Sequence, residues 1–169
     1  MAFFKSARLA FASLAVLCLG TIASPAANAY NPDIDGDGIP NTWEMNGYDA
    51  DGDGKIDINF PALGASPTHK DIFVEMDYMP GLLPSEEELD RITQIYADTP
   101  LRNPDGTTGI NIHLDAGDAR SAKYNLGGGT EITHQALDGE MTDLKRIKYS
   151  EGKFYKAREG TFHYMIWCD

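Results

Sequence analysis

Cysteine is almost missing from this chain. Of its 169 residues only Cys18 and Cys168 are cysteines, and Cys18 lies in a stretch that reads as a cleaved leader. A disulfide framework is therefore excluded, and Cys168 is left as a free thiol or as one whose partner lies elsewhere. Basic side chains are scarce too: 14 Lys and Arg stand against 26 Asp and Glu, for a formal charge of -12. Nucleic acid and anionic lipid both reward basic patches, so neither is an expected partner. After Ile22 no apolar run is long enough to span a bilayer. The common catalytic strings are missing as well. There is no His-Glu-x-x-His and no Gly-x-Ser-x-Gly, and Gly127-Gly128-Gly129 reads as a flexible loop without the Lys-Ser/Thr ending of a phosphate-binding loop. No two of His69, His113, His134 and His163 are four residues apart. Cys168 has no recognisable base beside it, which leaves a nucleophile reading without support.

What is present begins with an address. Lys5 and Arg8 precede an apolar run from about Leu9 to Ile22, and Ser24-Pro25-Ala26-Ala27-Asn28-Ala29 follows with small residues at an Ala-x-Ala site. Residues 1–29 are thus predicted to be a secretory signal, with the exported chain starting at Tyr30. Removing them takes away two bases and no acid, which moves the charge from -12 to -14. The remaining length suits one modest core.

The exported part opens on an acid ladder, Asp33 to Asp57, that holds eight carboxylates and one lysine. In its first half Asp33, Asp35 and Asp37 occupy positions 1, 3 and 5 of a loop, Gly38 position 6 and Glu44 position 12. That is calcium-loop spacing: alternate acids turn their oxygens to one side, the glycine permits a sharp turn, and the last glutamate closes the shell with both oxygens. The Ile39 carbonyl at position 7 is a further ligand, and Asn41 at position 9 binds directly or through water. The second half repeats the pattern with Asp49, Asp51, Asp53 and Gly54, and the Lys55 carbonyl stands at position 7. Position 12 is now Phe60, so Asp57 at position 9 is the candidate to close a shorter loop. A merely solvated acidic face would explain the charge. It would not explain two strings with their glycines in register. Eight acids this close repel unless neutralised, and two Ca²⁺ ions, one per loop, supply the compensating charge. Mg²⁺ prefers few carboxylates and several waters and fits less well.

The loops are not predicted to be EF-hands. Only Tyr30, Asn31 and Pro32 separate Asp33 from the leader, too few for an entering helix, and Asn46-Gly47 stops the exit helix after about a turn. The ladder resembles the calcium repeats of thrombospondin type 3 and of protective antigen, in which Asp-x-Asp-x-Asp-Gly is followed by Pro-x-x-Trp/Leu-Glu. Pro40, Trp43 and Glu44 supply that ending here.

Phe60 to Pro67 reads as a linker. Beyond it Asp71 to Met79 alternates as a half-buried strand, with Ile72, Val74, Met76 and Tyr78 on one face and Asp71, Phe73, Glu75 and Asp77 on the other. Ser85 and Glu88 form a helix-start signal, Leu89, Ile92, Ile95 and Tyr96 fall at helical spacing, and Pro100 ends the segment. Ile110 to Asp115 is a second strand, so the helix is predicted to be a crossover between parallel neighbours. Met141 to Lys148 reads as a short basic helix. Thr161 to Cys168 is a third strand, apolar enough to be expected at the centre of the sheet. Glu75, Asp77 and Asp115 near the strand ends are candidates for another cation site, against the commoner reading of solvated ends.

The strings Lys70 to Met79, Gly109 to Gly117 and Gly160 to Trp167 resemble the front half of secreted bacterial zinc metallopeptidases of the zincin class. The resemblance implies successive sheet strands with the zinc helix downstream, and zinc only where a chain continues to that motif. This one reaches Asp169 first, so the implied product is an incomplete, inactive relative. The expectation is thus an α/β chain in three parts: a leader at 1–29, a calcium-loop module at 30–60, and an incomplete zincin-like sheet with its crossover helix at 61–169. The expected function is that of a secreted calcium-binding protein. The alternative is a complete extracellular calcium-dependent adhesion or interaction module.

Overall fold

The computed structural model describes residues 32–137 and 141–169. The predicted leader lies outside them. Three strands form an all-parallel sheet in the order β2, β1, β3, where β1 is Asp71–Tyr78, β2 Asn111–Asp115 and β3 Phe162–Trp167. The register pairs Asp71 with Asn111 and Glu75 with Asp115 on one side, and Phe73 with Phe162 and Tyr78 with Trp167 on the other. Among the described residues no helix is long and apolar enough to cross a membrane.

The crossover from β1 to β2 runs through α3, Glu86–Ala97. Its start is held by the capping box legible in the sequence: the Glu88 N–H donates to Ser85 Oγ, and the Ser85 N–H donates back to the Glu88 carboxylate at 2.8 Å. Leu89 is fully buried, and Ile92 and Tyr96 pack against the core formed by Val74, Met76, Ile112 and Leu114. Ile95 does not join them. It is exposed, because six residues after Leu89 is the far side of a 3.6-residue turn.

Two expectations about the sheet are corrected. β1, not β3, is central. β3 buries Phe162 while His163 and Met165 stay exposed, so its apolar composition belongs to an edge strand with one packed face. β1 in turn is buried on both faces, not one. Phe73, on the face that was expected to be polar, enters a second core with Ile39, Ile58, Phe60, Phe154 and Phe162. A central parallel strand is covered on both sides, and alternation in its own sequence cannot reveal what arrives from elsewhere.

The supposed linker is part of that coverage. Phe60–Leu63 forms a helical turn, α2, capped by Asn59, and Phe60 meets Phe73 edge to face with ring centroids 5.2 Å apart. With α1, Asn41–Asn46, it flanks the acid loops. The loops and the sheet therefore share one core: Ile39 from the first loop and Ile58 and Phe60 from the second are all buried against it. The short helix expected near Met141 is α4, Met141–Arg146, which widens into a looser turn over Ile147–Glu151.

Candidate metal centre

The two acid loops are wired alike. In the first, the Asp33 carboxylate accepts from the N–H groups of Gly36 at 2.7 Å and Gly38 at 3.0 Å, Asp35 accepts from the Asp37 N–H, and Asp37 from the Ile39 N–H. Asn41 Oδ1 reaches back to the Ile34 N–H at 2.9 Å. In the second, Asp49 accepts from Gly52 and Gly54, Asp51 from Asp53, and Asp53 from Lys55. The bond from the Ala50 N–H ends on Asp57 Oδ2, which makes Asp57 the counterpart of Asn41. Gly38 and Gly54 both take positive φ, +96° and +87°, a region that side-chain-bearing residues rarely enter. Each loop thereby brings three carboxylates together: Asp33, Asp35 and Asp37 in one, Asp49, Asp51 and Asp53 in the other, with one oxygen from each residue within 4.8 Å of the others.

The loops differ at position 12, and the difference decides their burial. Phe60 turns into the core and leaves Asp51 and Asp53 exposed, with Lys55 Nζ 2.8 Å from Asp53. Asp57 is already engaged through both oxygens, its second by the Tyr155 hydroxyl at 2.5 Å, and this bond holds its carboxyl below the usual range. Glu44 is carried inward by α1 until only 1% of it is exposed. Neither of its oxygens has a hydrogen-bond partner, and neither does Asp35 Oδ2. A buried carboxylate without partners is costly, so these oxygens call for a ligand of their own.

Asp71, the first residue of β1, completes the surroundings and was not legible as a site residue. One oxygen of Asp71 joins a second close group with Asp37 and Glu44. Its N–H donates to Asp37 Oδ2 at 2.7 Å, Ser66 donates to Asp71 Oδ2 at 2.8 Å, and His113 Nε2 on β2 lies 2.6 Å from Asp71 Oδ1. The His113 ring stacks on Phe73 with centroids 4.2 Å apart. It is thus a half-buried histidine on the face of the sheet. Asp71 lies 34 residues from Asp37 in the chain, and only the strand's placement brings them together.

Burial, reinforced by the neighbouring carboxylates, pushes Glu44 up from 4.5 to about 8 and Asp35 from 3.8 to about 6, and burial also raises Asp37. A raised acid binds its proton more tightly in the folded state than in the unfolded one. Its contribution to stability is intact below the unfolded value and lost as pH climbs through the folded one. The metal-free protein is therefore expected to melt at falling temperature as pH rises from about 4.5 to 8. Divalent-metal uptake should become tighter over the same interval, with protons released. Thermal melts in chelator across that range check the first, and calorimetry in buffers of different ionisation enthalpy checks the second.

The strand-end acids are not solvated, and among the described residues they form none of the close carboxylate groups. Glu75, Asp77 and Asp115 are all buried, and the cation among them is the protein's own Arg158. Its Nη1 lies 2.6 Å from Glu75 and 2.7 Å from Asp115, and Nη2 donates to the Leu126 carbonyl. Asp77 accepts from the Thr130 N–H and the Tyr164 hydroxyl. The glycine run is packed here instead of hanging free: the Gly128 N–H donates to Asp115 at 2.7 Å, and a Cβ on Gly128 would collide with Arg158 and the Glu75 carboxylate. Of the other histidines, His69 pairs with Asp105 at 3.1 Å, His134 with Asp169 at 2.9 Å, and His163 is exposed. Among the described residues no histidine or cysteine belongs to a metal-ligating group of three.

No protein-family model, curated protein or solved structure matches the chain.

Proposed function

We propose that this chain is a secreted calcium-binding protein in which the first loop is the principal site and the α/β portion is the scaffold on which both loops are mounted. One observation carries the reading: Glu44 is buried with both oxygens unpartnered beside Asp35, Asp37 and Asp71. Ca²⁺ takes six to eight oxygens at flexible geometry and tolerates a bidentate carboxylate, whereas Mg²⁺ holds on to several waters. A mostly buried nest of carboxylates matches the former. Asp33, Asp35, Asp37 and Glu44 are the protein ligands, with the Ile39 carbonyl and Asn41 beside them. When bound, the ion supplies the positive charge that lets these acids stay ionised inside the fold.

The second loop, with Asp49, Asp51, Asp53 and the Lys55 carbonyl, is a weaker site. It has the same backbone wiring but no buried glutamate, and Lys55 and Tyr155 already share its charge. Titration calorimetry separates the two. Glu44→Gln is expected to weaken the tighter binding step by roughly ten- to a hundredfold, since Ca²⁺ affinity follows the number of charged ligands. Asp51→Asn should touch only the weaker step. Absence of Ca²⁺ uptake by the unaltered protein at millimolar concentration would overturn the reading.

A further inference from the structure

The acid loops lie at the start of β1, and its other end opens on a cleft. From β1 the chain crosses to α3 on the face that carries Val74 and Met76. The return from β2 to β3 passes over the opposite face, where Phe154 packs with Phe73 and Arg158 reaches Glu75. Connections that leave neighbouring strands toward opposite faces do not fill the space between the strand ends, and open α/β sheets bind their ligands in that crevice. Here it measures about 470 Å³, and Tyr78, Gly117, Asp118, Glu131 and Lys153 help to line it. One polar group in it is unanswered. Tyr78 is 9% exposed, yet among the described residues nothing hydrogen-bonds its hydroxyl. That oxygen is not one of the sealed, partnerless atoms of the interior, so it opens on the cleft that the residue lines.

The charge around the cleft decides what it takes. Its floor is main chain laid directly on buried acid: the N–H groups of Gly128 and Thr130 donate to Asp115 at 2.7 Å and to Asp77 at 2.8 Å, and a Cβ on Gly152 would overlap Asp77 Oδ2. Glu75 is buried beside them with Arg158 as the one cation of the group. At the rim stand Asp118 and Glu131, both exposed, and Lys153, which has no ion-pair partner among the described residues. Even with Arg120, the further base near Tyr78, the carboxylates outnumber the cations. The geometry points to a binding site for an organic cation, an alkylammonium or guanidinium group, in the cleft beyond the carboxyl ends of β1 and β2. The Tyr78 hydroxyl accepts one N–H of the ligand, and Asp118 and Glu131 supply opposite charge at the mouth. A metal ion fits less well, because neither rim acid belongs to a close carboxylate group among the described residues. The site is separate from the calcium reading: roughly 23 Å of strand lies between Asp71 and Tyr78.

The test is amide NMR of the protein in Ca²⁺, titrated with n-butylammonium, n-butylguanidinium, butan-1-ol and butyrate. The two cations are expected to shift the amides of Gly128, Gly129, Glu131 and Lys153 saturably, with a dissociation constant on the order of 1 mM for so small a ligand, while the alcohol and the anion leave them in place. Tyr78→Phe removes only an oxygen without a protein partner, so the fold should survive it, and it is expected to weaken the cation about tenfold. Lys153→Asn is expected to tighten cation binding by about two- to fivefold, since a like charge leaves the mouth and asparagine tolerates the positive φ there. Equal or larger shifts from butyrate or butan-1-ol, no saturable shift with either cation, or looser binding after Lys153→Asn would each overturn the inference without touching the calcium reading. An unchanged affinity in Tyr78→Phe overturns the part given to the hydroxyl. N-acetyl-lysine methylamide and 1,4-diaminobutane then separate the two sources of the chemistry, a protein side chain and a free amine; the tighter of them names the source, and failure of both counts against the site.

Discussion

Chelation at neutral pH is expected to lower the unfolding temperature by about 12–16 °C relative to the protein in excess Ca²⁺. A ligand present at about a thousand times its dissociation constant stabilises the folded state by about 4 kcal/mol, and each kcal/mol shifts the midpoint of a domain this size by about 3–4 °C. The size of the effect follows from where the site lies. Glu44 and Asp71 are not on a detached module: Ile39, Ile58 and Phe60 bind the loops into the same core as Phe73 and Phe162. Ions that relieve the buried acids should therefore stabilise the sheet as well as the loops, and calorimetric melting is expected to show one transition in both conditions. Glu44→Gln should remove most of the calcium-induced shift. A shift of less than about 3 °C in the unaltered protein would show that the loops and the sheet are not energetically joined.

The second large effect is expected at Arg158. Its guanidinium lies between Glu75 and Asp115 and is itself buried, with the Phe162 ring 4.3 Å away. Replacing it by methionine keeps the bulk and removes the charge, which leaves two carboxylates buried with no cation. Breaking one side of such a pair costs about 3–5 kcal/mol, a large part of the stability of a domain this size. Urea unfolding of Arg158→Met should show that loss, diminishing as the pH falls and the acids protonate. The triple change Arg158→Met, Glu75→Gln and Asp115→Asn should recover part of it, since no ion is then left unpaired. If the single change costs under about 1 kcal/mol, the trio is better solvated than its burial indicates.

Arg158 also shows why part of the molecule was hidden from its sequence. Glu75 and Asp115 announced themselves as acids at the ends of adjacent strands, and a cation among them was a fair expectation. That the cation is a side chain 83 residues from Glu75 has no local signature, because a salt bridge requires no pattern in the residues between its partners. Asp71 is a similar case. In the sequence it is one more alternating acid on a strand, and it joins Asp37 and Glu44 only because β1 starts beside the first loop. The misplacement of β3 at the centre of the sheet has the same origin: apolar composition reports that a strand is buried but not by how many neighbours.

The amino-acid order alone settled whatever depends on contacts within a dozen residues. The loop positions of Asp33 to Glu44 and their repeat and the Ser85–Glu88 helix start belong to that class, since hydrogen bonds and turn geometry at short range are set by neighbouring side chains; the parallel pairing of β1 with β2 was legible for another reason, the fixed hand of a strand–helix–strand crossover. Tertiary packing decided the rest. It turned Glu44 inward and Phe60 away from the acid loops, brought Asp71 to the first loop, and placed Arg158 between two acids. Burial is a property of what surrounds a residue, so the charge that a carboxylate must find there is fixed only once distant segments have met.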